Sequence, residues 1–322
     1  MSNSKKNIWI LGGTGFIGTA LLKQLSDNPA NLLHLLVHKN IPYRYLENFN
    51  IFTGSLQHFD YTWLEKYPPD TIFHLARIGG SNSIKRYLAA QKGEIANQKL
   101  INFLVNLKSS PVIVYVSGSL MYGHQFSGKQ ADEETDLSPI SYAKYYIHAE
   151  KPWIEAQSKQ LLDIRFARPG WILGPYSWFR IFYWNSYLQT GKIPIYGGGQ
   201  QLMSIVQVDD CAGQIINLAE NGTKYQNLNI FAGPPITQQT FVETLARLLK
   251  TTVELKSLRK YGSTVVEAFI SSIPLTTNFP QLLEHYQNKY PDLESMLKES
   301  LSAFKYEQSI LTKSPQKSFI QK

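Results

Sequence analysis

The chain has 322 residues, 43% of them hydrophobic, enough for one large core and a smaller lobe and too apolar for a disordered or fibrous protein. A single cysteine, Cys211, excludes an internal disulfide, and neither a Cys cluster nor an HExxH-like spacing among the seven histidines offers a metal site. The formal charge of +8 fits an anionic partner such as a dinucleotide, a sugar nucleotide, RNA or an acidic membrane, but no RNP-like or helix-turn-helix pattern supports specific nucleic-acid binding.

Met1 to Lys6 is short and polar and leads straight into an apolar run, and no segment approaches the roughly 18 apolar residues of a membrane span. A cytoplasmic protein is the expectation. Ile8 to Leu11, Leu32 to Val37, Ile51 to Phe52, Thr71 to Leu75, Val112 to Ser117 and Leu161 to Arg168 read as strands. Near-continuous apolar runs such as Ile8-Trp9-Ile10-Leu11 predict burial on both faces, as in a parallel sheet. Phe16 to Asn28, Lys85 to Leu107 and Ser141 to Gln160 read as crossover helices. The fold class is therefore α/β: a Rossmann-type doubly wound parallel sheet with helices on both faces, occupying residues 1–170.

Between the first strand and first helix stands Gly12-Gly13-Thr14-Gly15-Phe16-Ile17-Gly18. Glycines at a strand-to-helix turn let backbone N–H groups and the helix N-terminus approach a pyrophosphate, which predicts a dinucleotide site. An NAD site usually has an acid after the second strand, whereas this chain has His38 and Lys39. Absence of the carboxylate removes repulsion against a 2′-phosphate and a cation attracts it, so NADP(H) is favoured over NAD(H).

After Gly170 the texture changes to Trp171, Trp178, Phe179, Phe182, Tyr183, Trp184 and Tyr187, with Arg180 among them. Residues 171–304 are read as a smaller substrate lobe with segments returning to the main sheet. Its aromatic groups suit stacking on a ring-shaped substrate, and Arg180 suits an anionic group on it. The spacing of Phe179, Phe182 and Tyr183 is equally that of a packed helix face, so only some of them can line a pocket. Residues 305–322, rich in Ser, Gln and Lys, read as a frayed basic tail.

Taken together, the glycine run, Phe73-His74-Leu75-Ala76, Asn97, Val116 to Gly123, Tyr142-Ala143-Lys144, Ala149-Glu150-Lys151, Arg168 to Pro175 and Val208 to Ala212 resemble the extended short-chain dehydrogenase/reductases. The similarity is to the NAD(P)-dependent epimerases and dehydratases in particular, over roughly Lys6 to Leu249. The resemblance implies that Leu75, Ala76, Arg77 and Ser117 line the cofactor, that Ser55 and Leu56 lie near the adenine, and that Pro169 and Ile172 pass near the nicotinamide. It implies that Asn97 holds the cofactor side of the sheet, that Asp209 caps a helix, and that Tyr196 with Gly197 to Gly199 sits where relatives close over a nucleotide; Tyr122, Trp171 and Arg180 join Tyr196 as the candidate residues for a small-molecule substrate. Relatives often dimerise through the helices here read as Lys85 to Leu107 and Ser141 to Gln160, which makes a homodimer an implied arrangement.

The resemblance also implies a Ser or Thr, a Tyr and a Lys as the catalytic set, with the Lys four residues after the Tyr. Here Tyr142 is followed four residues later by Tyr146, and the Ser or Thr position falls on Gly118. A second register takes Lys144 as the lysine and leaves Ile140 at the tyrosine; the first is favoured because it preserves Ala149-Glu150-Lys151. Tyr142 is the candidate proton-transfer group, with Ser119 and Arg77 as candidate replacements for the altered members. The readings that follow are an oxidoreductase or epimerase/dehydratase-like enzyme with a degenerate triad, or a catalytically silent dinucleotide-binding protein acting as a redox sensor or interaction partner. A membrane-associated carrier draws only on the aromatic stretch and the charge.

Overall fold

A computed structural model describes residues 5–38, 49–257 and 263–313. In chain order the first half runs β1 (Lys6–Leu11), α1 (Phe16–Ser26), β2 (Asn31–Val37), β3 (Asn50–Thr53), α2 (Thr62–Lys66), β4 (Thr71–His74), α3 (Ser83–Val105), β5 (Val112–Val116), α4 (Tyr146–Ser158) and β6 (Asp163–Pro169). There follow β7 (Trp171–Leu173), α5 (Asn185–Thr190), β8 (Ile193–Ile195), β9 (Leu202–Met203), β10 (Ile205–Gln207), α6 (Val208–Asn221) and β11 (Leu228–Ile230). The chain closes with β12 (Ile236–Thr237), α7 (Gln238–Leu249), β13 (Val253–Leu255), α8 (Ser263–Ile270), α9 (Pro280–His285) and α10 (Leu293–Lys313).

Seven parallel strands form the main sheet in the order β11-β6-β5-β4-β1-β2-β3. Alternation along each strand divides the apolar residues between two cores. Ile8, Ile10, Phe73, Val114 and Val116 pack beneath α1 and α6, while Trp9, Leu11, Ile72, Ile113 and Tyr115 pack beneath α3 and α4. After β3 the chain crosses back to place β4 beside β1, so the sheet's switch point opens between the C-terminal ends of those two strands.

Beyond β6 the chain builds a second core around Phe179, Tyr183, Tyr196, Phe241, Leu297 and Phe304. Residues 206–230 return to the first core through Val206, Val208, Ile215, Leu228 and Ile230. The lobe is thus interleaved in sequence with the sheet.

Two expected boundaries differ. Ser141 to Tyr145 form an irregular turn and α4 begins only at Tyr146, because Ala143 and Lys144 both donate to the Ile140 carbonyl before regular helix starts. The segment read as a frayed tail from Lys305 starts inside α10, which runs on to Lys313 and is anchored by Leu297, Leu301 and Phe304 at helical spacing against the second core.

Two histidines are built into the strands in neutral form. His34, stacked on Trp9 at 4.9 Å, and the buried His74, bonded to Asn97 at 3.0 Å, both have pKa values lowered by burial to about 4. A depressed histidine pKa means that the unfolded chain binds protons first. The stabilisation is complete above about pH 6.5 and is lost as pH falls towards 4, amounting to about 2–3 kcal/mol for His74. We expect the urea midpoint to drop between about pH 7 and pH 4.5, and to drop less in His74→Gln, which keeps an amide for Asn97 but does not titrate. Parallel declines in the two proteins would show that His74 contributes nothing to the pH response.

Candidate functional site

The β1–α1 turn is shaped by absent side chains. Gly12 has φ +95°, and a Cβ there would lie 2.8 Å from the Ala76 nitrogen at the end of β4. A Cβ on Gly18 would collide with the Gly12 carbonyl and sit 2.7 Å from the Gly13 Cα. Gly15 precedes α1 with no side-chain cap, and no acidic residue occupies the helix's first turn. The helix therefore presents its N-terminal N–H groups over bare backbone, a cradle whose chemistry fits a pyrophosphate.

Beside this turn lies a cavity of about 570 Å³. Phe16 and Ile17 from α1, Arg77 after β4, Ser117 to Met121 after β5, Tyr142 and Tyr146, and Pro169 to Ile172 form its sheet side. Trp178, Ile181, Phe182 and, from α8, Val265, Ala268 and Phe269 form the other wall. Phe182 and Phe269 meet at 4.1 Å and Trp171 and Trp178 at 5.0 Å, an aromatic surface suited to a flat or ring-shaped ligand. The indole nitrogens of Trp171 and Trp178 are buried with no hydrogen-bond partner among the described residues. Gln201 fixes part of this wall by donating to the carbonyls of Tyr196 and Phe269.

Tyr142 stands at the cavity with its ring 6.1 Å from that of Tyr146, edge to face. Burial, reinforced by the neighbouring Tyr146 hydroxyl, raises the Tyr142 pKa, while Arg86 and Arg77 pull it down. Arg77 lies over the Tyr146 ring at 4.3 Å. Ser119 is buried at the cavity wall in a short 3₁₀ turn. A Cβ on Gly118 would find its nearest neighbour 3.9 Å away, so glycine there is not required by space.

Several expected positions lie elsewhere or are committed to structure. The Ser117 hydroxyl donates to Glu150 at 2.5 Å and accepts from Arg168 at 2.9 Å, and Arg168 donates to Glu150 at 2.5 Å, all three buried. Breaking such a buried pair from one side costs about 3–5 kcal/mol, so the network locks β5, α4 and β6 together behind the cavity. Tyr122, expected at the substrate, is buried with its hydroxyl donating to Asn229 at 2.7 Å. Tyr196 is likewise buried and donates to the Phe182 carbonyl at 2.8 Å, so it supports the wall from behind. Arg180 points to α10, 5.7 Å from the Phe304 ring, away from the cavity lining. The α6 cap is Gln207, whose side chain accepts from the Asp209 N–H; Asp209 itself sits in the helix's first turn.

On the expected adenine side, His38 follows β2 and is exposed, while Lys39 lies outside the described residues. Ser55 pairs with His58 in the turn after β3, and Leu56 packs on the core beneath α3 and α4. Thr14 lies in the glycine turn, and Leu75 continues β4 by donating to the Leu11 carbonyl at 2.8 Å. Asn97 joins β4 to α4, bonding His74 and donating to the Ala149 carbonyl at 2.7 Å. Lys144 is exposed.

Sequence reasoning missed Arg86, whose guanidinium lies 5.8 Å from the Tyr142 ring, and the whole contribution of α8. The spacing of Val265, Ala268 and Phe269 marks one helix face and was a usable signal for α8. Nothing local to Arg86 connects it with Tyr142.

Residues 8–230 match the NAD dependent epimerase/dehydratase family. A curated relative, the uncharacterized protein y4nG of Sinorhizobium fredii, is 23% identical over 281 residues, covering 83% of this chain and 66% of the relative, slightly under two thirds of its length. Among solved structures, the UDP-N-acetylglucosamine 4-epimerase of Methanobrevibacter ruminantium, in complex with UDP-N-acetylmuramic acid, superposes with TM-score 0.78 at 20% identity, covering 94% of this chain and 99% of that one. The dTDP-glucose 4,6-dehydratase of Bacillus anthracis, in complex with NAD, gives 0.76 at 19% identity, with 94% and 98% covered.

Proposed function

This chain belongs to the NAD dependent epimerase/dehydratase family, and from that membership we propose that it is an NAD(P)-dependent oxidoreductase or epimerase/dehydratase-like enzyme. Its substrate in this reading is a small ring-bearing molecule, such as a sugar nucleotide, reacting at a carbonyl or hydroxyl carbon. The observation that carries the reading is Tyr142 at the wall of a cavity that also holds the start of α1 and an aromatic surface.

Gly12 to Gly18 would hold the pyrophosphate, and Phe16, Ile17, Pro169 and Ile172 would flank the nicotinamide end. The dinucleotide, when bound, supplies hydride transfer. Tyr142 supplies the proton at its phenolic oxygen, and a pKa raised above that of free tyrosine keeps it protonated at neutral pH, the form that donates to a developing alkoxide. Ser119 would orient the reacting oxygen, and Trp171, Trp178 and Phe182 would stack on the ring while excluding water. NADP(H) over NAD(H) belongs to the proposal and is supported by exposed His38 standing where an acid is usual. A homodimer through α3 and α4 fits the same reading, since α3 leaves Ile84, Leu88 and Ile95 exposed. No described helix is long and apolar enough to cross a membrane.

A second reading, a dinucleotide-binding protein without turnover that senses redox state or engages a partner, is favoured by Gly118, by Tyr146 and by the commitment of Ser117 to Glu150. Fluorescence titration with NADPH and NADH, followed by a screen of carbonyl substrates with wild type and Tyr142→Phe, separates the two. The enzyme reading expects tighter binding of NADPH and turnover that Tyr142→Phe abolishes. Binding with no turnover selects the silent protein; binding of neither nucleotide overturns both, and a fully active Tyr142→Phe removes Tyr142 from the mechanism.

A further inference from the structure

Tyr142 and Tyr146, with Arg77 and Val265, line both the main cavity and a second chamber of about 340 Å³. The loop through Gly79 and Gly80 and Arg86 at the start of α3 also line the chamber. Gly80 is required there: a Cβ would run into the backbone at Lys85 and Arg86, so only glycine lets the loop lie against the helix and bring Arg86 to the chamber. At Gly79 the space a side chain would fill is open.

Two guanidinium groups thus face one small space. Each rests near a tyrosine ring, Arg77 at 4.3 Å from Tyr146 and Arg86 at 5.8 Å from Tyr142. Stacking occupies the face of a guanidinium and leaves its edge of N–H donors available. Among the described residues no carboxylate pairs with either arginine, and Nε of Arg86 is buried without a hydrogen-bond partner. Arg77 is exposed and Arg86 half-buried, and an anion taken up in this chamber would give the buried Nε of Arg86 a charged partner while drawing on the free edge of Arg77. The flat fork of each group matches an oxyanion.

We propose that this chamber is an oxyanion subsite, in which Arg77 and Arg86 take a carboxylate or phosphate carried by the substrate bound in the main cavity. The assignment to a substrate rests on the reading of the main cavity given above, and it narrows the substrate class to ring compounds with a negatively charged substituent close to the reacting carbon. Arg86 is then a specificity residue, and Gly80 is there to place it.

Thermal unfolding and calorimetric titration with inorganic phosphate and with acetate, against chloride at equal ionic strength, test the site on the full chain. Wild type is expected to gain about 2–3 °C in Tm at an anion concentration about ten times Kd. Because the glycine turn can also bind an oxyanion, the deciding comparison is with Arg86→Gln and Arg77→Gln, each expected to lose at least about tenfold in anion affinity, with the larger of the phosphate and acetate responses identifying the group. The proposal is overturned if wild type shows no anion-specific response, or if both variants retain it in full. Titration of the same preparations with NADH and NADPH reports separately on the underlying reading. Dinucleotide binding without an arginine-dependent anion response sinks the subsite alone, and an arginine-dependent response without dinucleotide binding sinks the cofactor reading and leaves an anion site.

Discussion

Gly18→Ala is expected to weaken dinucleotide binding by about a hundredfold or more. A methyl at residue 18 would press into the Gly12 carbonyl and stand 2.7 Å from the Gly13 Cα and 2.8 Å from its carbonyl carbon, all backbone atoms that cannot rotate aside. The turn must therefore move as a unit and carry its N–H donors out of line. Hydrogen bonds to a charged group contribute about 1.5–3 kcal/mol each, so losing one or two costs about one to four powers of ten in affinity. Overpacking adds a stability loss of about 1–3 kcal/mol. Gly13→Ala is the contrast, since its methyl would meet no backbone, only side-chain atoms of Ile10 and Leu22 at 3.2 Å and of Leu35 at 3.5 Å, a misfit of a few tenths of an ångström. We expect it to keep most of the affinity. Titration of both folded variants with NADH and NADPH, monitored by fluorescence, decides the matter: wild-type affinity in Gly18→Ala would mean that the turn does not hold the pyrophosphate.

Tyr146→Lys combined with Gly118→Ser is expected to raise turnover in the oxidative direction at pH 7 by about a hundredfold. Free tyrosine, with a pKa of about 10, is ionised in about one molecule in a thousand at that pH, and Tyr142 is shifted further up by burial and by Tyr146. A lysine ammonium in place of the Tyr146 ring would stabilise the phenolate and bring the pKa down by about two units or more. The rate limb that rises with pH should move down by the same amount. Gly118 has room for the hydroxyl, its nearest Cβ neighbour being 3.9 Å away. Arg77 loses its stacking partner and gains a like charge, which tempers the gain without changing its sign. Stopped assays across pH 6 to 10 read the outcome directly. A pH profile identical to wild type would show that Tyr142 does not carry the proton.

How far each part of the molecule could be read in advance followed the range of the interactions that define it. Continuous apolar runs in Ile8 to Leu11 and Val112 to Val116 announce a sheet covered on both sides, and glycines between a strand and a helix announce a turn that must approach other backbone closely. These are local demands on single positions, and the seven parallel strands and the cradle at Gly12 and Gly18 follow from them. Tyr122 and Tyr196 show the opposite case: a tyrosine beside a loop reads alike whether its hydroxyl meets a ligand or Asn229, 107 residues away.

The residues alone were sufficient for the parallel α/β architecture, the family, and the place of the glycine turn, because periodicity and missing side chains are written within a few consecutive positions. Long-range packing was needed to bury Ser117 against Glu150 and Arg168, to bring α8 over the cavity, and to set Arg77 and Arg86 around the two tyrosines. Solvation and the sign of nearby charge control what a titratable side chain can do, and both are properties of neighbours that only folding brings together.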